Sequence, residues 1–352
     1  MLFDKILKRN EAEDRIEENN KEEHTQECYL DESIYESESL YQSESIYENV
    51  EECSFISEEL YNQDDEEYTV VGNKEISKVL DGISKYGISI VVTGAGGSGV
   101  STVSFNMANM LSNLGYKVLI VDFDTEQKAQ SYISSRSYQS IRKEGTDLID
   151  VVNDGLQLEN HAAFVKKNLY LLTLGAATDS IKFNDALNTN KIPNFIGLSK
   201  SMFNFVIYDI PINSIIEYSP QIAILCDTLI TVIDSSTWGG MKAINSLLNI
   251  ENEELLDTFF SKSRVVFNRV SSECSLMGKP FNPSKKGWGK TLDSIVEQLA
   301  GEEMDVKFSD LGRASILKLS SINSTMWYEK RAYSDTKEGN IEYMRLIKET
   351  FY

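Results

Sequence analysis

The sequence predicts an α/β fold with a doubly wound, mainly parallel sheet, preceded by a disordered acidic tail. Three observations predict it. Short apolar runs alternate with segments of helical periodicity, as buried parallel strands and their covering helices do. A glycine-rich loop joins the first apolar run, residues 88–92, to a helix. The negative charge is concentrated in residues 1–70, which leaves the remainder close to neutral.

The acidic segment carries most of the net charge. Residues 1–70 contain 23 Asp and Glu but 5 Lys and Arg, a net charge of −18, whereas the whole chain has −21. Residues 10–70 lack Pro and Gly and have too little apolar surface to offset the entropy of ordering. We therefore expect a disordered tail over 1–70 and one folded domain over 72–352. No segment has the basic excess typical of nucleic-acid binding, so a nucleic-acid partner is not expected.

A hexad repeat lies inside this tail, at residues 32–37, 38–43 and 44–49. Each copy places an aliphatic residue next to a tyrosine on an acidic background. Repeated anchors of this kind favour a multivalent docking segment, residues 32–49, for a basic surface on a protein partner. The alternative is an acidic linker that only keeps the chain in solution.

The first nine residues, MLFDKILKR, would place an apolar stripe and three basic residues on a short helix. This pattern is typical of an interfacial membrane anchor, and a frayed terminus is the alternative. Elsewhere no apolar run reaches the roughly 20 residues that a membrane span needs. The four cysteines show no metal-binding spacing, which indicates reduced thiols. We expect a cytoplasmic protein, peripheral at the inner face of the membrane if residues 1–9 act as an anchor.

The glycine-rich loop is followed by a helix and by a second apolar strand that leads to Asp122 and Asp124. Glycines allow backbone N–H groups to surround an anion, and the helix N-terminus adds its positive end. The spacing matches G-x-x-x-x-G-K-[ST], except that Val100 stands in place of the lysine. The loop residues expected to cradle a phosphate are Gly94, Gly96, Gly97, Ser98, Gly99, Val100, Ser101 and Thr102.

The rest of the domain continues the alternation. Residues 72–87 predict a short helix, and residues 147–175 predict a helix, a turn at 153–155, a second helix and a strand at 169–174. Three further apolar strands lead to polar residues at Asp209, Asp234 and Asn268. In a parallel sheet ligands bind beyond the carboxyl ends of the strands. We expect five side chains to gather there: Ser101, Asp122, Asp124, Asp209 and Asn268.

Two C-terminal segments complete the domain. Residues 287–291 imitate the end of a phosphate loop, but no buried strand precedes them. They predict a loop that enters a helix over 292–299. A final amphipathic helix around 341–351 is expected to pack on the core, with membrane targeting as the alternative.

Together these elements resemble the ParA/MinD class of deviant P-loop ATPases, of the SIMIBI type, over about residues 86–300. The family loop K-G-G-x-G-K-[ST]-T is similar to residues 95–102. The two acidic strands of the family resemble residues 120–124 and 206–211. Residues 267–270 are similar to a strand end whose asparagine contacts adenine.

The resemblance implies a homodimer that binds ATP or ADP with Mg²⁺. By the same resemblance, Ser101 and Asp209 would hold the metal. Asp124 would orient the attacking water, Asp122 would support it, and Asn268 would face the base.

The family's two lysines are missing, because Ala95 and Val100 stand in their places. Loss of these cations removes charge stabilisation from phosphoryl transfer, so we expect weak nucleotide binding and very slow or no hydrolysis. Lysine-poor loops resemble the CpaE/TadZ-like subgroup, which implies a scaffold for a cell-envelope, pilus, secretion or partition machine. One alternative is an active switch ATPase with a substitute cation, such as Lys128, Lys182 or a partner's. Another is a relative of bacterial tyrosine kinases.

Overall fold

The computed structural model describes residues 70–125, 127, 129–130, 133, 148–154, 158–174, 191–217, 219–270, 275–276, 279–280, 288–300, 307–310, 312–318 and 331–351. All of them lie in one unit, Asn62–Tyr352. The predictions for residues 1–69, including the hexad repeat and the anchor at 1–9, lie outside the described residues. The same holds for Lys128 and Lys182.

Ten strands are described. They are β1 (Ile88–Gly94), β2 (Val118–Asp122), β3 (Ala163–Lys166), β4 (Leu169–Thr173), β5 (Phe205–Asp209), β6 (Thr228–Asp234), β7 (Ser263–Val270), β8 (Ser275–Leu276), β9 (Lys279–Pro280) and β10 (Gly312–Lys318). Eight of them form one sheet in the order β10-β7-β6-β1-β5-β2-β4-β3, and β8 pairs with β9. All pairings in the large sheet are parallel except that of β3 with β4. The predicted doubly wound, mainly parallel sheet is confirmed.

Helices cover both faces of this sheet. They are α1 (Val70–Ile83), α2 (Val100–Asn113), α3 (Leu148–Asp154), α4 (Leu158–His161), α5 (Ile192–Met202), α6 (Ile212–Glu217), α7 (Pro220–Leu225), α8 (Thr237–Leu248), α9 (Glu253–Lys262), α10 (Trp288–Ala300) and α11 (Lys337–Phe351). Short 3-10 turns lie at Ser84–Tyr86, Phe308–Asp310 and Tyr333–Asp335. Within the described part of the chain, no helix is long and apolar enough to cross a membrane.

Side chains of the central strands alternate between two apolar clusters. In β1, Ile90 and Val92 belong to one cluster and Val91 to the other, and all three are fully buried. The cluster of Ile90 also contains side chains of α1, α2 and α11, whereas that of Val91 contains side chains of α5, α8 and α9. Burial on both faces explains why these strands are uninterrupted apolar runs in the sequence.

Asparagine side chains join α2 to the turn that precedes α11. Asn106 Oδ1 accepts the backbone N–H of Ser334 at 2.9 Å. Asn109 Nδ2 donates to Ser334 Oγ at 2.8 Å and to Asp335 Oδ1 at 2.7 Å. α11 itself buries Leu346 and neighbouring apolar side chains in the cluster that it shares with α2. The expected core packing of the last helix is confirmed.

The segment before β4 differs from the predicted second helix. Among the described residues of this segment, Leu158–His161 is helical, and Ala163–Lys166 forms β3, which pairs antiparallel with β4. Asn168 adopts a left-handed φ of 65° in the turn between the two strands. Pairing with β4 stabilises this strand. The pattern of hydrophobicity along the sequence contains no information about such a contact.

Two differences lie near the C-terminus. Residues 288–291 form the first turn of α10, whereas the sequence predicted a loop that enters a helix at 292. A Cβ at Gly289 would lie 2.4 Å from Ser309 Cα, so this turn packs closely against the backbone of the next segment. β10 was not predicted, and it extends the sheet beyond β7.

Candidate functional site

The glycine-rich loop leaves β1 at the centre of the sheet, between β5 and β6, and leads into α2. Within the loop, Ser98 N–H donates to the Ala95 carbonyl at 3.0 Å and closes a turn. Gly99 precedes α2 with a left-handed φ of 93°, which favours glycine. A Cβ at Gly94 would lie 2.4 Å from the Val232 carbonyl oxygen, so only glycine fits against β6 there.

Two side chains at the end of β7 hold this loop. Asn268 Nδ2 donates to the Ser98 carbonyl at 2.8 Å. Arg269 Nη1 donates to the Gly97 carbonyl at 2.8 Å and to Asp234 Oδ2 at 3.1 Å. Arg269 has a φ of 57°, a strained conformation that persists where the surroundings maintain it. Because donors occupy these carbonyls, which would repel an anion, the N–H groups of the loop other than that of Ser98 are suited to bind a phosphate.

An acidic cluster lies at the carboxyl ends of β2 and β5. Asp122 and Asp209 are register partners on these neighbouring strands, and both are almost fully buried. Asp122 Oδ1 accepts the N–H of Asp124 at 3.0 Å, and Asp124 Oδ1 accepts the N–H of Gln127 at 2.9 Å. These bonds hold the turn that follows β2 against the carboxyl edge of the sheet.

Gln130 joins this cluster to the start of α2. Its Nε2 donates to Asp209 Oδ2 at 2.7 Å and to the Ser101 carbonyl at 2.8 Å. Its backbone N–H donates to Asp122 Oδ2 at 3.0 Å. The Ser101 side chain lies near the Asp209 carboxylate and lowers the pKa of that group. Gln130 thus contacts three of the residues that the sequence placed at the site.

The buried carboxylates have raised pKa values. Burial raises the pKa of Asp209 to about 6, against hydrogen bonds from Gln130 and Ser101 that lower it. Burial, followed by the charge of Asp209, raises the pKa of Asp122 well above its usual range. A cation nearby would favour the charged forms of both groups, so this end of the sheet is suited to a positively charged ligand.

The donor set fits a Mg²⁺ ion that arrives with a phosphate ligand. Ser101 and Asp209 would contribute a hydroxyl and a carboxylate, which are oxygen ligands that Mg²⁺ accepts. Over the described residues, no three His, Cys, Asp or Glu side chains converge to hold a metal by themselves. Mg²⁺ commonly takes one or two protein ligands and is completed by phosphates and waters.

The structure therefore places the predicted residues in two groups. Ser101, Asp122, Asp124 and Asp209 lie together around Gln130, whereas Asn268 lies against the glycine-rich loop. The amide of Asn268 is buried and bonded to the loop, and its contact with a base stays a prediction. At the two positions without lysine, Ala95 is buried and Val100 packs against the apolar cluster of α2.

Sequence reasoning missed Gln130 and Arg269. Arg269 follows Asn268 directly, so its place at a strand end was a usable signal. Gln130 lies in a polar segment without a motif, and its contact with Asp209 joins residues that are 79 positions apart. No feature of the sequence alone indicated that contact.

Gly99 and Gly96 provide a matched test of the loop. A Cβ at Gly99 would lie 2.4 Å from Asn268 Nδ2, at a φ that favours glycine, whereas a Cβ at Gly96 meets nothing within 4 Å. We expect Gly99→Ala to lower the free energy of unfolding by about 1–3 kcal/mol. Gly96→Ala should change it by less than about 0.5 kcal/mol. Urea denaturation measures both, and equal effects would contradict the described loop.

The fold and the site together define a nucleotide-binding P-loop protein of the α/β type. The family model for the CobQ/CobB/MinD/ParA nucleotide binding domain (CbiA) matches residues 89–279, which is more than half of the chain. The chain belongs to this family. The resemblance to the ParA/MinD class is thereby confirmed at the level of the family.

Known relatives agree with this assignment. The septum site-determining protein MinD of Bacillus subtilis is 26% identical over 231 residues, which cover 64% of this chain and 77% of that protein. The cell division ATPase MinD of Pyrococcus furiosus is 17% identical, covers 75% of this chain and 98% of its own, and has a TM-score of 0.52. MinD of Pyrococcus horikoshii, solved with Mg-ADP, is 19% identical, covers 74% and 94%, and has a TM-score of 0.51. These two structures show the fold.

Proposed function

We propose that this protein binds ATP or ADP with Mg²⁺, hydrolyses ATP very slowly or not at all, and acts as a scaffold that localises or assembles a partner machine. One observation carries the proposal. Asn268 and Arg269 hold the glycine-rich loop at the start of α2, yet Val100 occupies the lysine position there.

The family and its relatives support the nucleotide. The matching family model describes a nucleotide binding domain, and the MinD structure of Pyrococcus horikoshii is a complex with Mg-ADP. In this chain, backbone N–H groups of the loop and the N-terminus of α2 would bind the phosphates. Asn268, at the other side of the loop, would lie near the base.

Ser101 and Asp209 would hold the Mg²⁺ ion, directly or through water. The ion supplies positive charge next to the phosphates when it is bound. Asp124, whose carboxylate is held by the N–H of Gln127, would orient a water molecule, and Asp122 would fix the turn that carries Asp124. These roles follow from the family resemblance and from the hydrogen bonds described above.

Slow hydrolysis follows from the two replaced lysines. A lysine reaching the phosphates stabilises charge that develops in the transition state, and one lost electrostatic donor costs about 100- to 1,000-fold in rate. Ala95 and Val100 are apolar and partly or fully buried, so neither supplies that charge. Binding is affected less, because backbone donors and the metal remain.

The scaffold role combines the folded domain with its acidic tail. Residues 32–49 would dock a protein partner, residues 1–9 would contact the membrane surface, and the domain would dimerise as in the ParA/MinD class. The lysine-poor loop favours a relationship to the CpaE/TadZ-like subgroup. The protein would then localise a pilus, secretion, partition or cell-envelope machine. A cytoplasmic protein at the inner face of the membrane fits this role.

Arg269 favours a second candidate function, that of an active ATP-dependent switch with a substitute cation. Its guanidinium donates to the Gly97 carbonyl, at the loop that would surround the phosphates, and its side chain is 45% exposed. The ion pair with Asp234 lowers its net charge at the loop. A switch would need Arg269 to leave Asp234 and reach the phosphates.

Calorimetric titration of the full chain with ATP and Mg²⁺, followed by a phosphate-release assay, tests the proposal. We expect binding in the micromolar to millimolar range, roughly 4–8 kcal/mol, without measurable turnover. Ser101→Ala should weaken binding at least about tenfold when Mg²⁺ is present, which corresponds to roughly 1.4 kcal/mol. Ser201→Ala, on the exposed end of α5, is the matched control and should bind as the unmodified protein does.

The outcomes separate the candidates. If the unmodified protein hydrolysed ATP and Arg269→Gln did not, the active switch would replace the scaffold as the proposed function. No binding of ATP or ADP under any condition would contradict the nucleotide-binding part of the proposal.

A further inference from the structure

Gln130 occupies a position that the family resemblance did not assign. It is fully buried, and both hydrogens of its side-chain amide are used, one by Asp209 Oδ2 and one by the Ser101 carbonyl. Its backbone N–H is bound by Asp122. One residue therefore joins the end of β2, the end of β5 and the first turn of α2.

These bonds fix a carboxylate that would otherwise turn. The terminal torsion of an aspartate is broad, so an unpartnered carboxylate samples many orientations. Gln130 Nε2 donates to Asp209 Oδ2 and so restricts the orientation of this carboxylate. The same nitrogen donates to the Ser101 carbonyl, which lies in the helix turn that carries the Ser101 hydroxyl. Gln130 therefore contacts the carboxylate of one expected metal ligand and the backbone of the other.

The carbonyl end of the same side chain is also informative. Gln130 Oε1 is buried and has no hydrogen-bond partner among the residues that the structure describes. A buried acceptor without a partner is unfavourable, and it is retained where a ligand or its water can complete it. Over the described part of the chain, the amide has both donors bonded to the protein and its acceptor without a partner.

We propose that Gln130 is a positioning residue for the divalent cation: it fixes Asp209 relative to Ser101 and thereby sets the metal affinity of the nucleotide site. The proposal rests on the proposed function. Partners of metal ligands typically change metal affinity about 10- to 100-fold when they are removed. Because glutamine is neutral, it orients the carboxylate without the charge that would compete with the metal.

The test compares ADP binding by the full chain in Mn²⁺ and in EDTA, measured by calorimetry. In Gln130→Met, which keeps the length and loses the hydrogen bonds, we expect ADP affinity in EDTA to change less than about threefold. In Mn²⁺ the affinity should fall about 10- to 100-fold. Gln127→Met makes the same change at an exposed neighbour whose backbone alone contacts Asp124, and it should behave as the unmodified protein does.

A second measurement uses the unmodified protein and does not depend on the folding of a variant. The side-chain amide of Gln130, assigned by NMR, is expected to be protected from hydrogen exchange and to shift when Mg²⁺ is added to the ADP complex. Rapid exchange with no shift would overturn the proposal.

The binding outcomes are distinct. Equal loss in Mn²⁺ and in EDTA would show a packing role and overturn the positioning role. The positioning role would also be overturned if Mn²⁺ raised the ADP affinity of Gln130→Met as much as that of the unmodified protein. It would be overturned as well if Mn²⁺ did not raise the ADP affinity of the unmodified protein. No ADP binding by the unmodified protein in either buffer would overturn the proposed function, and this inference with it.

Discussion

Replacing Val100 by lysine is expected to raise the rate of ATP hydrolysis by about 100- to 1,000-fold. Val100 is the first residue of α2, directly after the glycine that ends the loop, so a lysine there would extend from the helix N-terminus. Val100 is half-buried, and a lysine can bury its methylene groups while its ammonium group reaches the phosphates. The measurement is phosphate release under saturating Mg-ATP.

Val100→Met is the matched control, because it adds similar length without charge. We expect its rate to equal that of the unmodified protein. If lysine and methionine gave the same rate, the missing charge would not be what limits hydrolysis, and the explanation of the scaffold by its degenerate loop would fail. Adding Ala95→Lys to Val100→Lys tests the second position in the same assay.

Asp209→Asn is expected to stabilise the metal-free protein by about 1–3 kcal/mol at pH 7 and to abolish stabilisation by Mg-ATP. Burial raises the pKa of Asp209 to about 6, so its charged form is unfavourable in the folded chain. Asparagine removes that charge and keeps a carbonyl that can accept the bond from Gln130. Thermal unfolding with and without Mg-ATP measures both effects.

The pH dependence of this effect has a definite sign. The pKa in the folded state lies above the unfolded value of about 3.9, so the folded state keeps the proton to higher pH. The stability from this group is complete below about pH 4 and is lost as the pH rises through about 6. The stability of Asp209→Asn relative to the unmodified protein should therefore rise between about pH 4 and about pH 6 and remain higher at pH 7.

Asp227 serves as a control, because its pKa is shifted in the opposite direction to that of Asp209. It precedes β6, and burial raises its pKa, but hydrogen bonds from Lys200 and Ser89 outweigh burial and lower the pKa overall. Its stabilisation is present above its unfolded pKa and is lost as the pH falls. Asp227→Asn should lower stability at pH 7 by about 1–2 kcal/mol, mostly because the bonds from Ser89 lose their charged acceptor, since the ion pair with Lys200 is partly exposed. If Asp209→Asn and Asp227→Asn changed the stability at pH 7 in the same direction, the opposite pKa shifts described for Asp209 and Asp227 would be contradicted.

The sheet was predictable because its strands are buried on both faces. Continuous apolar runs marked β1, β2, β5, β6 and β7, and the polar residues at their ends marked the edge where Asp122 and Asp209 meet. The glycine loop was predictable for a related reason, since close backbone approach at Gly94 and a left-handed φ at Gly99 both favour glycine.

Elements that depend on distant contacts were not predictable in this way. β3 is held by its pairing with β4, and β10 by its pairing with β7, although neither has a distinctive pattern. Gln130 has its role through bonds to Ser101 and Asp209, which the chain brings together only after α2 and β5 have packed. Such roles arise from three-dimensional position rather than from residue type.

The hydrogen bonds that join Asn106 and Asn109 to Ser334 have a consequence for the timing of synthesis. Asn109 and Ser334 are 225 residues apart, so α2 lacks this partner until the last part of the domain has left the ribosome. Until then the apolar face that α2 shares with α11 is uncovered, and surfaces exposed in this way are prone to aggregation. A nascent chain that stops before residue 331 would carry the complete glycine loop on α2 without the bonds that join this helix to Ser334.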